Sequence, residues 1–249
     1  MAEFDRPSVA ARPGTAAVVD QGLRSYMLKV YNYMGIGLVI TGVVAYFSYA
    51  GSVVQTTGGL ELTSFGAAIF ESPLRWVVML APLAFVLVLS FGIRRLSTPM
   101  AQLLFWVFAA VMGLSLSSIF LVYTQTSIAQ VFFISAATFG AMSLYGYTTK
   151  RDLTQYGSFL MMGLIGVVIA SVVNIFLNSS GLSFAISIIG VLVFVGLTAW
   201  DTQKIKESYS VGFGADVLAK GAIMGALSLY LDFINLFLML LRIFGNQRN

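Results

Sequence analysis

No cysteine and no histidine occur among the 249 residues, and only 10% of them are charged. Without cysteine there is no disulfide framework and no thiolate chemistry. Without histidine the usual general base, the usual zinc ligand and the side chain that titrates near neutral pH are all missing. So little charge also excludes an ordinary soluble domain, where about 25% is typical.

What is present is apolar: 58% of the residues are hydrophobic. They fall into blocks long enough to cross a hydrocarbon core, which takes about 20 residues at about 1.5 Å rise each. The pattern predicts one all-α polytopic membrane domain over residues 23–249, with spans at about 27–49, 74–93, 103–123, 128–147, 159–177, 184–201 and 221–244. Residues 1–22, with Pro7, Pro13, Gly14 and mixed charge, read as a flexible cytoplasmic tail. They lack an uninterrupted apolar run, and Glu3 and Asp5 speak against a transit peptide.

A net charge of +4 invites a nucleic-acid reading, but the cations sit at span ends rather than in one patch. Lys and Arg favour the cytoplasmic side. An inside N-terminus gives that side Arg6, Arg12, Arg24, Lys29, Arg94, Arg95, Lys150, Arg151, Lys204, Lys206 and Lys220, and leaves Arg75, Arg242 and Arg248 outside. The expectation is therefore a multi-pass protein of the cytoplasmic membrane, N-terminus inside and C-terminus opposite. Small residues at packing spacing, Gly221 with Gly225, Gly113 with Ser117 and Ser183 with Ser187, read as close helix contacts. A short echo links Tyr147-Thr148-Thr149-Lys150 to Trp200-Asp201-Thr202-Gln203-Lys204, too brief to establish a repeat.

Of the ten acids, eight lie in tails or loops. Asp201 closes span six, and Asp232 lies inside span seven. An acid at the centre of a spanning helix costs about 2.5–3.5 kcal/mol on insertion scales, so Asp232 needs a partner, a proton or a watery cavity. Spans six and seven run antiparallel, so the two aspartates can meet. A span starting at Gly221 would put Asp232 roughly 16 Å deep, however, deeper than a residue at the end of span six. Two carboxylates at one site cannot both ionise cheaply and would titrate as a pair. Such a pair can hold a proton, bind a cation such as calcium through oxygen, or do acid–base chemistry. Arg94 and Arg95 end span two on the same side and offer a guanidinium partner to Asp201, or plain topological anchoring.

Paired aspartates on spans six and seven also mark intramembrane aspartyl proteases, but Trp200-Asp201 and Tyr230-Leu231-Asp232 lack those enzymes' flanking motifs. A rhomboid-type protease would need a histidine. The chain instead resembles the bacterial branch of the Bax inhibitor-1, or transmembrane Bax-inhibitor-motif, family. The resemblance rests on Tyr31-Asn32-Tyr33-Met34, on Gly140-Ala141-Met142-Ser143-Leu144-Tyr145-Gly146-Tyr147-Thr148-Thr149-Lys150-Arg151-Asp152-Leu153, and on Trp200-Asp201-Thr202-Gln203-Lys204-Ile205. The most specific segment is Ala226-Leu227-Ser228-Leu229-Tyr230-Leu231-Asp232-Phe233-Ile234-Asn235-Leu236-Phe237.

The resemblance implies seven helices, the last one central and six around it as antiparallel pairs. It implies a pH-sensitive calcium leak without catalysis or cofactor, in which Asp201 and Asp232 form the proton sensor and Arg94 the latch. One departure is that residues 74–93 contain no acid to face Arg242, so an outer ion pair would have to use Glu61 or Glu71. The rival reading is a non-conducting regulator that grips a membrane protease or another membrane partner through its tail. A third reading, proton-coupled solute transport, predicts uphill accumulation rather than leak.

Overall fold

The computed structural model describes residues 13–56 and 59–248, with side chains from Asp20 onward. Helix α1 (Pro13–Ser52) leads into a hairpin, β1 (Val53–Thr56) and β2 (Gly59–Leu62), and the short α2 (Ser64–Phe70). Then follow α3 (Leu74–Gly92), α4 (Thr98–Leu116), the single turn α5 (Ile119–Val122) and α6 (Gln125–Thr148). The chain ends with α7 (Thr154–Leu177), α8 (Ser180–Glu207) and α9 (Ala215–Phe244). Seven segments are long and apolar enough to cross a membrane: Asp20–Ser52, Leu74–Gly92, Thr98–Val122, Gln125–Thr148, Thr154–Leu177, Ser180–Glu207 and Ala215–Phe244. Each contains, within a residue or two, one span read from the sequence.

Three boundaries are corrected. Residues 13–22, assigned above to the tail, are helical, because Pro13 at a first helical turn followed by an Ala- and Val-rich run starts α1 early. Residues 1–12 of that tail lie outside the described residues. Span six does not stop at Asp201: α8 continues to Glu207. Span seven opens at Ala215, six residues before Gly221. The echo between spans four and six goes no further than sequence, since α6 ends at Thr148 whereas Asp201–Lys204 is mid-helix.

The stretch after span one, read only as polar and Gly-rich, pairs Val53 with Leu62 and Thr56 with Gly59 in an antiparallel hairpin. Gly59 has φ of 122°, a conformation other residues rarely adopt. Thr63 then closes the hairpin on α1, its hydroxyl donating to the Gly51 carbonyl at 2.8 Å and accepting from the Gly66 N–H at 3.1 Å.

α9 is the most enclosed helix, with most residues from Ala222 to Leu241 buried, and it packs against α1, α3, α4, α6 and α8. α7 is the opposite case: within it only Gly157 and Val167 are buried, and large apolar side chains such as Ile165, Val168 and Phe176 face outward as lipid-facing residues do. In lipid, helices are held by close packing rather than by apolar transfer, so small residues matter at crossings. A Cβ on Gly113 would fall 2.5 Å from the Thr41 carbonyl oxygen, which places α4 hard against α1.

The helix ends sort into two groups. At one end the Thr98 hydroxyl bonds Asp216, and Lys206 Nζ donates to the Tyr147 carbonyl at 2.8 Å. At the other, the Thr124 N–H reaches the Asn246 carbonyl at 3.1 Å, and Arg248 donates to Tyr49 Oη at 2.5 Å. Between α6 and α7, the Thr154 hydroxyl and backbone N–H hold the Asp152 carboxyl below the usual carboxylate range, and that N–H lies 2.8 Å from Asp152 Oδ1.

Candidate functional site: the α8–α9 carboxylate pair

Two glycines set how α8 and α9 lie. A Cβ on Gly225 would meet Ile205 at 3.1 Å, and one on Gly190 would meet Met239 at 2.9 Å. That antiparallel register puts Asp201 level with Leu229, so Asp232 lies one turn, about 4.5 Å, further along the axis. Side chains of this length span such an offset, and the Asp201 and Asp232 carboxyl groups are neighbours that interact. α8 runs on past Asp201, but α9 also opens earlier, at Ala215, so Asp232 lies about 25 Å from that helix start, and it is the register set by the glycines that brings the pair together. Asp201 is itself about 9 Å inside the helix end.

Asp232 is only 5% exposed, and Asp201 is half-buried with Lys204 the cation whose charge reaches it. Lys204 itself lies outward, its Nζ 4.8 Å from the centre of the Trp200 ring. Around the pair, buried polar side chains are satisfied. Thr198 and Thr202 donate to the carbonyls of Phe194 and Thr198 at 2.7 Å. The hydroxyls of Ser143 and Thr202 lie 3.0 Å apart, and those of Tyr31 and Ser143 2.5 Å. Tyr230 Oη lies 2.6 Å from Thr41 Oγ1, which donates to the Ala109 carbonyl at 2.8 Å. Against that background Asp232 Oδ2 stands out: among the described residues it is the buried side-chain polar atom left without a hydrogen-bond partner. Two neighbouring carboxyl groups are held together favourably only when a proton lies between them.

Among the described residues no third acid or other common ligand joins the pair to make a metal cluster. Two carboxylates give fewer oxygens than the six to eight that calcium takes.

Arg94 does not pair with Asp201 here. It is exposed and lines a hollow with Asp216, Lys220, Gly221 and Met224 at the start of α9. The ion pair among the described residues is Lys220 with Asp216, at 2.8 Å. Met224, the innermost residue of that hollow, is five residues, about 7.5 Å along the axis, short of the level of Asp201. At the opposite end Arg242 is exposed and lines a polar cavity of about 710 Å³ with Asn174, Asn178 and Ser183. Glu61 on β2 and Glu71 after α2 are exposed, and neither pairs with it among the described residues. The arginine with a fixed partner at that end is Arg248, bound to Tyr49 Oη, a contact between residues 199 positions apart that no local pattern reveals.

Gln203 was also missed. Its amide nitrogen donates to the Arg151 carbonyl at 2.8 Å, and its amide oxygen accepts from the Leu153 N–H at 2.7 Å. Two residues beyond Asp201, it clamps the α6–α7 connection onto α8. Gln203→Leu strands both backbone groups and is expected to cost about 2–3 kcal/mol, read as lowered thermal stability in detergent. Gln203→Glu keeps the acceptor and loses the donor, so it falls between. Equal stability of the Leu variant and the parent would remove the clamp.

Residues 23–249 match the family described as "Inhibitor of apoptosis-promoting Bax1". Protein RP147 of Rickettsia prowazekii is 53% identical over 230 residues, covering 92% of this chain and 93% of its own. Inner membrane protein YbhL of Escherichia coli is 51% identical over 229 residues, covering 91% of this chain and 94% of its own. A Caulobacter vibrioides protein is 45% identical over 251 residues, end to end on both chains. Helix layout, the two-aspartate segments and these similarities agree: the chain belongs to the Bax inhibitor-like family of membrane proteins.

Proposed function

We propose that the protein is a pH-sensitive passive calcium leak of the cytoplasmic membrane, with Asp201 and Asp232 sharing the proton that reports pH and Arg94 acting as latch. The observation that carries the reading is the buried Asp232 carboxyl, set against Asp201 with Oδ2 otherwise unpartnered. Contact between two carboxyl groups is favoured when a proton is available. Once the proton leaves, the bare charge of Asp201 is better served by the guanidinium of Arg94. Acid therefore favours the unlatched contact seen here, and alkali favours the latch. In this reading the leak rises as pH falls. The N-terminus lies in the cytoplasm and the C-terminus opposite, in line with the crowd of Lys and Arg at one end. An inner-membrane location follows the name printed for YbhL.

The test uses the full chain in proteoliposomes, comparing calcium, sodium and potassium flux at about pH 5.5 and about pH 7.5. Calcium is expected to run down its gradient, faster at the acid value. Flux no greater than in protein-free vesicles would overturn the reading in favour of a non-conducting regulator, and uphill accumulation would overturn it in favour of coupled transport. Deleting residues 1–12 is expected to leave the flux intact.

A further inference from the structure

A third cavity lies beside α9, its lining reaching Phe233, next to Asp232, and Ser143, whose hydroxyl contacts Thr202. α1 and α6 each pack on α9, and the Tyr31–Ser143 hydroxyl contact ties them to one another. Alongside that contact runs a cleft of about 690 Å³, walled by Met27, Met34 and Leu38 of α1 and by Phe132, Phe139 and Leu144 of α6. Glycines stand on both walls. At Gly35 and at Gly140 no atom lies within 4 Å of where a Cβ would be, so the space is kept open from two sides.

Water finds little there, since the Tyr31 and Ser143 hydroxyls already bond one another and the rest of the wall is mostly apolar. From Leu38 to Arg24, both in the lining, α1 rises about 21 Å, against roughly 15 Å for half a hydrocarbon core. The cleft thus spans one leaflet and ends in its headgroup layer. At that end stand Arg24, exposed, and Tyr147, whose ring carries Lys206 Nζ 5.6 Å from its centre. Among the described residues no acid lines the cleft. Apolar walls one leaflet long, closed by Arg24 at headgroup level with Lys206 behind the Tyr147 ring, match a single amphiphile of negative charge.

We propose that the α1–α6 cleft binds an anionic phospholipid of the leaflet on the Arg24 side, one acyl chain between the two helices and the phosphate at Arg24 beside Lys206. The lipid site does not rest on the leak reading, and its experiment does not read ion flux.

The experiment is native mass spectrometry of the full chain released from mixed micelles holding equal phosphatidylglycerol and phosphatidylcholine. The wild type is expected to keep one phosphatidylglycerol about tenfold more often than phosphatidylcholine, a ratio worth one decade of affinity. Arg24→Gln lowers phosphatidylglycerol retention severalfold and leaves phosphatidylcholine unchanged. Gly140→Trp, or Gly35→Leu from the other wall, removes both lipids by filling the cleft. Gly166→Trp on the outward face of α7, where a Cβ also meets nothing within 4 Å, keeps both. Equal retention of the two lipids, or wild-type retention in both filled variants, overturns the site. So does a dimer lost in the filled variants and indifferent to lipid, which would make a second copy the occupant.

Discussion

Asp201→Asn is expected to raise calcium leak at neutral pH by on the order of tenfold and to flatten its dependence on pH. The direction follows from what each group can do once its charge is gone. An Asn at position 201 offers Arg94 no anion, so the latch has nothing to close on. It also donates an N–H to Asp232 without needing a shared proton. Asp232→Asn acts from the other helix: its amide donates to the Asp201 carboxylate at any pH and competes with Arg94 for it. Arg94→Gln removes the latch itself. All three should leave the flux nearly the same at about pH 5.5 and about pH 7.5, because none retains both a proton-dependent contact and a charge-dependent one. Arg94→Gln combined with Asp201→Asn should do no more than either alone, the mark of two groups acting through one contact. Additive rises would separate the arginine from the carboxylates. Wild-type pH dependence in both aspartate variants would end the proton-sensor reading, whatever ion is passed.

The spans were legible because twenty or so apolar residues leave a helix as nearly the only way to satisfy the backbone in lipid. Asp232 was legible for the same reason, as a charge where the surroundings offer no water. That antiparallel spans let Asp232 meet Asp201 was legible too, but how deep Asp201 sits in its helix was not. Thr202, Gln203 and Lys204 look like the polar edge of a span, yet Thr202 and Gln203 are buried and helical. Their polar groups are satisfied by Thr198, Ser143 and the 151–153 backbone, partners that no local pattern reveals. The axial register of α8 on α9 also rests on Gly190 and Gly225, whose neighbours come from the other helix. Arg94 was legible as a cation at a helix end, but where its guanidinium rests depends on the Asp216–Lys220 pair at the start of α9.

The other large effect is expected at Gly146, which the sequence presents as one glycine among 24. A Cβ there would fall 2.2 Å from the Ala199 carbonyl oxygen and 2.9 Å from Ala199 C and Cα. The obstacle is backbone, two residues before Asp201, and a backbone held in helix on both sides cannot step aside as a side-chain tip can. Overpacking of this kind typically costs about 1–3 kcal/mol, and a clash with main chain belongs at or beyond the top of that range. Gly146→Ala is therefore expected to destabilise the protein by about 3 kcal/mol or more, and Gly146→Val to prevent recovery of folded material. Gly140, six residues earlier on α6 and with open space at its Cβ, supplies the control. Gly140→Ala should be neutral or stabilising by up to about 1 kcal/mol, since alanine is the better helix former. Thermal unfolding of the two alanine variants in one detergent decides the matter. Any Gly146→Ala protein that still folds must also have moved α8 off α6 beside the aspartates, so its calcium leak should lose part of its response to pH. Equal melting of Gly146→Ala and Gly140→Ala would mean that the α6–α8 crossing yields freely, and that the carboxylates are not held in register by it.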